Sequence, residues 1–272
     1  MDGANDALER FLIHSRNYDG SLNSFWSLRD EFGILALSGF FLGWVNRHLA
    51  ELIRSPSEAG LWFWPQFNIH EANGLTLSVA ALAEQSTIQT HAEPAMYTPI
   101  DGQDLHCHRY RLPPHVNDVF DPAIVLEPTG SRTVKRGEVL EVWPDQVYDF
   151  QATTKEQPVV AAVLQAPVSM RFKWSFHRSS LKALAAVDAD AADTQLRATC
   201  DLLGQLGDPS SLEILEGLIG HNHHGVRWSA IQNIVRINPA AARSLLERSV
   251  TDPHPHIQAA AAKTLQKLTA SS

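Results

Sequence analysis

Cysteine is nearly absent from this chain. Cys107 and Cys200 are the only two in 272 residues. They fall in stretches of quite different character, which excludes a disulfide framework and makes a reduced, cytoplasmic setting the expectation. Long apolar runs are missing as well. The longest, FGILALSGFFLGWV at 32–45, has 14 residues, short of the ~20 that cross a bilayer as a helix. The opening MDGANDALERF is acidic and polar, unlike a secretory leader. Positive charge is scarce: 22 Lys and Arg stand against 30 Asp and Glu, for a net charge of −8. No membrane and no nucleic-acid partner is therefore expected from bulk electrostatics. A phosphate-cradling loop is lacking too, because GSRTVKRG has neither the glycine spacing nor a following helix.

What is present divides into three. Residues 6–54 carry apolar residues at helical spacing and no proline, so residues 1–56 read as an N-terminal helical segment. Packing on the core is the plain expectation for it, and a lid or homodimer surface is the alternative. From 57 to 176 the pattern changes to short alternating runs such as LTLSVAAL, DLHCHRYRL and PVVAAVLQ. ANG, IDG, PTG, KRG and PDQ punctuate these runs as turns. About nine short strands with no long helix between them imply an antiparallel sandwich or barrel.

Residues 177–272 repeat themselves. ILEGLIGHNHHGVRWSAIQNIVRI at 214–237 superposes on LLERSVTDPHPHIQAAAAKTLQKL at 245–268 with a constant offset of 31. Ile214 matches Leu245, Leu215 matches Leu246, Val226 matches Ile257 and Ala230 matches Ala261. A fixed period with helical spacing in both halves means stacked helical hairpins. Asp208-Pro209 and Asn238-Pro239 each place a capping residue before a proline at the first helical position. The pattern resembles HEAT repeats, with a weaker copy over 181–207 in which Leu184, Leu203 and Leu206 fall one period before Leu215, Ile234 and Ile237. Such repeats imply a surface for a protein partner. The fold class expected is thus α+β and multidomain: N-terminal helices, an antiparallel barrel, and C-terminal helical repeats.

Chemistry points first to DLHCHRYRLPP at 104–114. Alternation on a strand puts His106, His108 and Tyr110 on one face and Cys107, Arg109 and Arg111 on the other. Two imidazoles two residues apart on one face can share an ion. An outward arginine face would send these histidines inward. The alternative is polar lining or hydrogen-bonded strand residues with no ion.

This stretch, followed by RTVKRGEVLEVWPDQVYDF at 132–150, resembles a cupin barrel. The resemblance implies a divalent metal inside the barrel, Fe(II) first, with a small organic molecule bound beside it. His106 and His108 would be ligands, His91 the third, and Tyr110 and Tyr148 would act on the substrate. His115, Asp118 and Glu138 are further candidates. The departures are specific: Leu112 and Pro113 stand where the family carries a glutamate, and Tyr148 where it carries a histidine. Asp149 is adjacent to that position but on the opposite face. A metal-dependent oxygenase is the function implied. A non-catalytic sensor or adaptor, with the repeats binding a partner, is the alternative.

Two other signals have plain readings. HNHH at 221–224 and HPH at 254–256 occupy the same repeat position, as polar loops between helices; adventitious nickel or zinc binding is the other reading. Trp62 and Trp64 in GLWFWPQF read as a clasp between the helical and β parts, or as a stacking pair for a planar substrate.

Overall fold

The computed structural model describes residues 2–54, 66–144, 146–151 and 157–270. Trp62 and Trp64 lie outside these residues. The chain forms two compact units, 1–189 and 190–272. The first therefore runs past the boundary expected at 176, because the strand Ala183–Asp188 pairs with the strand Phe172–His177.

The first unit opens with four helices, α1 (Asp2–Ser15), α2 (Leu22–Trp26), α3 (Arg29–Leu37) and α4 (Phe40–Arg54). Eleven strands follow: β1 (Gln66–Ala72), β2 (Leu75–Leu82), β3 (Thr87–Gln89), β4 (Ala95–Pro99), β5 (Leu105–Arg111), β6 (Glu127–Val134), β7 (Leu140–Val142), β8 (Val147–Gln151), β9 (Val159–Gln165), β10 (Phe172–His177) and β11 (Ala183–Asp188). The ANG turn joins β1 to β2 through Asn73 and Gly74, both at positive φ (53° and 78°). A two-residue hairpin loop needs that conformation, and Asn-Gly supplies it at least cost.

One sheet has the order β1-β2-β9-β4-β7. A second face is built from β6-β5-β8 and β11-β10-β3, linked by the Thr90–Val147 bridge. All strand pairs are antiparallel, and most neighbours are distant in sequence. This is the rolled double-sheet order of jelly rolls, the class that includes cupins, so the barrel is cupin-like.

The first sheet is covered on both sides, and its strands show why. On β2, Leu75, Leu77 and Val79 join Met96, Ala162 and Leu164 under the helices, against Phe11, Phe25, Phe32, Leu35 and Phe41. The alternate residues, Ala80, Ala95, Tyr97, Val159 and Val163, face the barrel interior with Leu105, Cys107, Val134, Leu140 and Val142. The N-terminal helices are thus the outer cover of a sheet, which explains why α4 and its neighbours carry so many large apolar residues. On the far side Ile88, Val147, Trp174 and Phe176 pack under the loop containing Phe120 and Ile124.

The second unit contains α5 (Ala191–Leu206), α6 (Leu212–Leu218), α7 (His224–Ile237), α8 (Ala242–Ser249) and α9 (Pro255–Ala270). The pairs α6/α7 and α8/α9 are the two repeats. Matched positions share the core: Leu215 with Leu246, Val226 with Ile257, Ala230 with Ala261, all buried. Short 3₁₀ turns begin at Pro209 and Pro239 as the prolines require. The Asp208 side chain caps the first by accepting from Ser210 N, whereas Asn238 makes no such bond. The weaker copy is half a repeat. Only its second helix, α5, exists, because Leu184 lies on β11; Leu206 is exposed.

Candidate functional site

The barrel interior opens into a pocket of about 210 Å³. That is below the roughly 300–1,000 Å³ of drug-sized ligand pockets, so its occupant is small. Its lining comes from β1, β2, β3, β4, β8, β9 and β10 and the turns between them, and none of it from β5.

The polar lining is a connected chain. Gln66 Nε2 donates to Ser78 Oγ (3.0 Å) and to Gln165 Oε1 (2.8 Å). Gln165 Nε2 donates to Glu93 Oε1 (3.2 Å), which also accepts from Lys173 Nζ (3.1 Å). His91 stands beside this chain, its ring edge-on to Tyr97 and Phe150, each 6.1 Å away centre to centre. Burial pulls the His91 imidazole down to about 4; the Glu93 carboxylate opposes that shift and the Lys173 ammonium adds to it. His91 is therefore neutral near pH 7. Burial also pushes the Tyr97 phenol up, and Glu93 adds to that. The pocket thus offers a neutral imidazole, a protonated phenol, an amide pair and one ion pair.

The expected site residues do not gather here. His106 and His108 are exposed, while Leu105 and Cys107 of the same strand are buried in the barrel. The inward orientation expected for the histidines is thus corrected: β5 spends its inward face on Leu105 and Cys107, because the interior there is apolar. The separation of Cys107 from the histidines is as alternation dictates. His106 Nδ1 bonds to Thr133 Oγ1 across the sheet (2.9 Å). Tyr110 shares the histidines' face and packs, half-buried, with the outer cluster around Trp174. Tyr148 packs with the interior cluster and lines the pocket; burial raises its phenol, and that of Tyr110 is raised for the same reason.

His91 is the one expected ligand that lines the pocket. His115 packs edge-on to Trp174 at 5.0 Å, in the outer layer. Glu138 closes a turn by accepting from Lys135 N (3.0 Å). Asp149 is buried and ion-paired with Arg178, which also pairs with Glu84 (2.9 Å). Glu93, Tyr97, Lys173, Gln66 and Gln165 escaped the sequence reading. Gln66 and Gln165 are 99 residues apart, and no local spacing signals their meeting.

Among the described residues, one group of three could hold a metal through ligand atoms all within 4.8 Å of one another: His224, His254 and His256. It lies in the second unit. His223 and His254, equivalent in the two repeats, are both buried. The His223 side chain caps α7 by accepting from Val226 N (3.4 Å). His254 Nδ1 likewise accepts from His256 N (3.2 Å). These histidines are structural parts of the repeat turns rather than plain loop residues.

Residues 179–266 match the family model of HEAT repeats, and the second unit is built of HEAT-like helical pairs. No curated protein matches the chain. Among solved structures, a hydroquinone 1,2-dioxygenase, PnpCD, in complex with Cd2+ and 4-hydroxybenzonitrile is 17% identical; the match covers 43% of this chain and 72% of that one at a TM-score of 0.31. The hydroquinone 1,2-dioxygenase of Sphingomonas sp. TTNP3 is also 17% identical, over 42% and 72%, with a TM-score of 0.31. An RmlC-like cupin protein of Ralstonia eutropha JMP134 is 10% identical over 53% and 80%, with a TM-score of 0.27.

Proposed function

We propose that the barrel binds one small polar molecule and that the HEAT-like unit presents a docking surface to a protein partner, making this a ligand-responsive adaptor. The observation that carries the reading is the Gln66–Gln165–Glu93–Lys173 chain lining a pocket of about 210 Å³. A ligand with an anionic or carbonyl group can take the Lys173 ammonium, and a donor on the same molecule can take Glu93. A flat apolar portion fits against Phe150 and Tyr97. The test is a thermal-shift screen of the full chain with zwitterionic amino acids and small carboxylic acids. Stabilisation by such a compound, lost in Lys173→Met and Gln165→Leu, supports the reading. Equal stabilisation of both variants overturns it.

The enzymatic alternative is oxygen chemistry at a divalent metal, Fe(II) first, acting on the bound molecule. It rests on His91 and Glu93 lining one pocket, an imidazole and a carboxylate, one histidine short of the two-histidine, one-carboxylate set that suits iron, with Tyr148 alongside. Iron in tag-free protein that disappears in His91→Ala, together with ligand binding that requires the metal, would decide for it. A ligand shift that survives chelation decides for the adaptor.

A further inference from the structure

We propose that His224, His254 and His256 form a second, independent site, which binds a borderline divalent transition ion such as zinc and ties one repeat to the next. The three imidazoles come from equivalent turns one period apart: His224 opens α7, His254 immediately precedes α9, and His256 is in its first turn. One ligand nitrogen of each lies within 4.8 Å of the others. The rings of His224 and His254 are parallel with centres 3.6 Å apart, and His256 stands nearly perpendicular to both, at 71° and 68°.

Three nitrogens bound to one tetrahedral ion at 2.0–2.1 Å sit about 3.3 Å apart, and each bond lies in its ring's plane, so the stacked rings of His224 and His254 must tilt out of parallel as well as draw together by roughly an ångström. His224 is half-buried and His256 exposed. His254 is buried and held by the bond its Nδ1 accepts from His256 N. An ion on its Nε2 moves the ring proton to Nδ1 and gives up that bond; an ion on Nδ1 replaces it.

The electrostatics select the ion. The positive ends of α7 and α9 both lie at these turns, which disfavours a cation held by charge alone. Asp252 does not cancel this, because its carboxylate accepts from His254 N (2.8 Å) and is ion-paired with Arg227 (2.7 Å). Neutral nitrogen donors without a free carboxylate bind zinc, nickel or copper and pass over magnesium and calcium. Three protein ligands leave one position for water.

The test is zinc titration of the full chain, purified without a histidine tag, by calorimetry and by metal analysis after dialysis. One zinc per chain is expected, with a higher melting temperature in its presence. His224→Ala and His256→Ala should each weaken binding by about tenfold or more, and His256→Cys, which restores a ligand, should recover it. His106→Ala with His108→Ala should bind as the parent does. Unchanged zinc binding in the His224→Ala/His256→Ala double variant overturns the site, as does binding lost only with His106 and His108. Neither result bears on the barrel pocket, where the adaptor reading stands or falls separately.

Discussion

The barrel and the helical repeats bring histidines together by opposite means. In the barrel, His106 and His108 are neighbours in sequence, yet they project from the outer face of β5 while the pocket is assembled without them. In the repeats, His224 and His254 are 30 residues apart in sequence and stack at 3.6 Å. A repeat converts a sequence period into a spatial contact, because each unit packs on the next in a constant register. A rolled sheet does not, because its contacts join strands that no local pattern pairs.

A large expected effect tests the repeat side. Arg227 is buried, pairs with Asp252 through two nitrogens and donates to His221 O (2.8 Å) and Asn222 O (3.2 Å). Arg227→Ala leaves the half-buried Asp252 carboxylate and two backbone carbonyls without their donor and should cost about 3 kcal/mol, read as a lower urea midpoint for loss of helical signal. A cost near zero would mean that these turns are not held in register by this pair.

On the barrel side, Leu105→Ala empties a fully buried position and should cost about 2–5 kcal/mol in urea unfolding. His106→Ala, one residue along on the exposed face, should stay within about 0.5 kcal/mol. Reversed magnitudes would return the histidines to the interior.

The next effect depends on pH. His91 titrates at about 4 in the folded barrel against ~6.5 unfolded. Above pH 6.5 the ring is neutral in both states and costs nothing. Between 6.5 and 4 the unfolded chain takes up the proton first, so stability falls across that window and levels off below it. The full loss is about 3 kcal/mol. His91→Gln should flatten the unfolding midpoint over this range while leaving the repeats unaffected.

A smaller loss is steric. A Cβ on Gly204 would lie 1.9 Å from Asn233 Oδ1 and 2.7 Å from its Cβ. Asn233 is itself buried and bonded to Asp201 (2.9 Å) and to Ser229 O (2.8 Å), so it cannot simply swing away. Gly204→Ala should cost about 1–3 kcal/mol in thermal unfolding, a measure of how closely α5 approaches α7.

Legibility followed the same division. The offset of 31 was readable because Leu215 and Leu246, or Val226 and Ile257, answer the same packing problem twice. The ANG hairpin was readable because two consecutive positive φ angles need Asn-Gly. The face assignment on β5 was half readable: alternation separates Cys107 from His106 and His108 but cannot say which face is inside, and Arg109 and Arg111 pointed the wrong way. The arginines lie on the inward-facing parity of β5, yet both are exposed, and the β5–β6 register shifts between Arg109 and Tyr110. The weak repeat copy failed at Leu184, where pairing with β10 overrode helical spacing.

By itself, then, the sequence determined much of what depends on near neighbours: helices before strands before repeats, strand alternation, the Asn73-Gly74 turn, the Asp208 cap and the repeat period. Not among these are the PTG turn, which lies within β6, and the Asn238 cap, whose side chain makes no capping bond. Only the tertiary structure decided which side of β5 meets the interior, and that Gln66, Glu93, Gln165 and Lys173 share one pocket. The physical reason is that a strand's two faces are equivalent until another layer buries one. That layer is supplied here by residues tens of positions away.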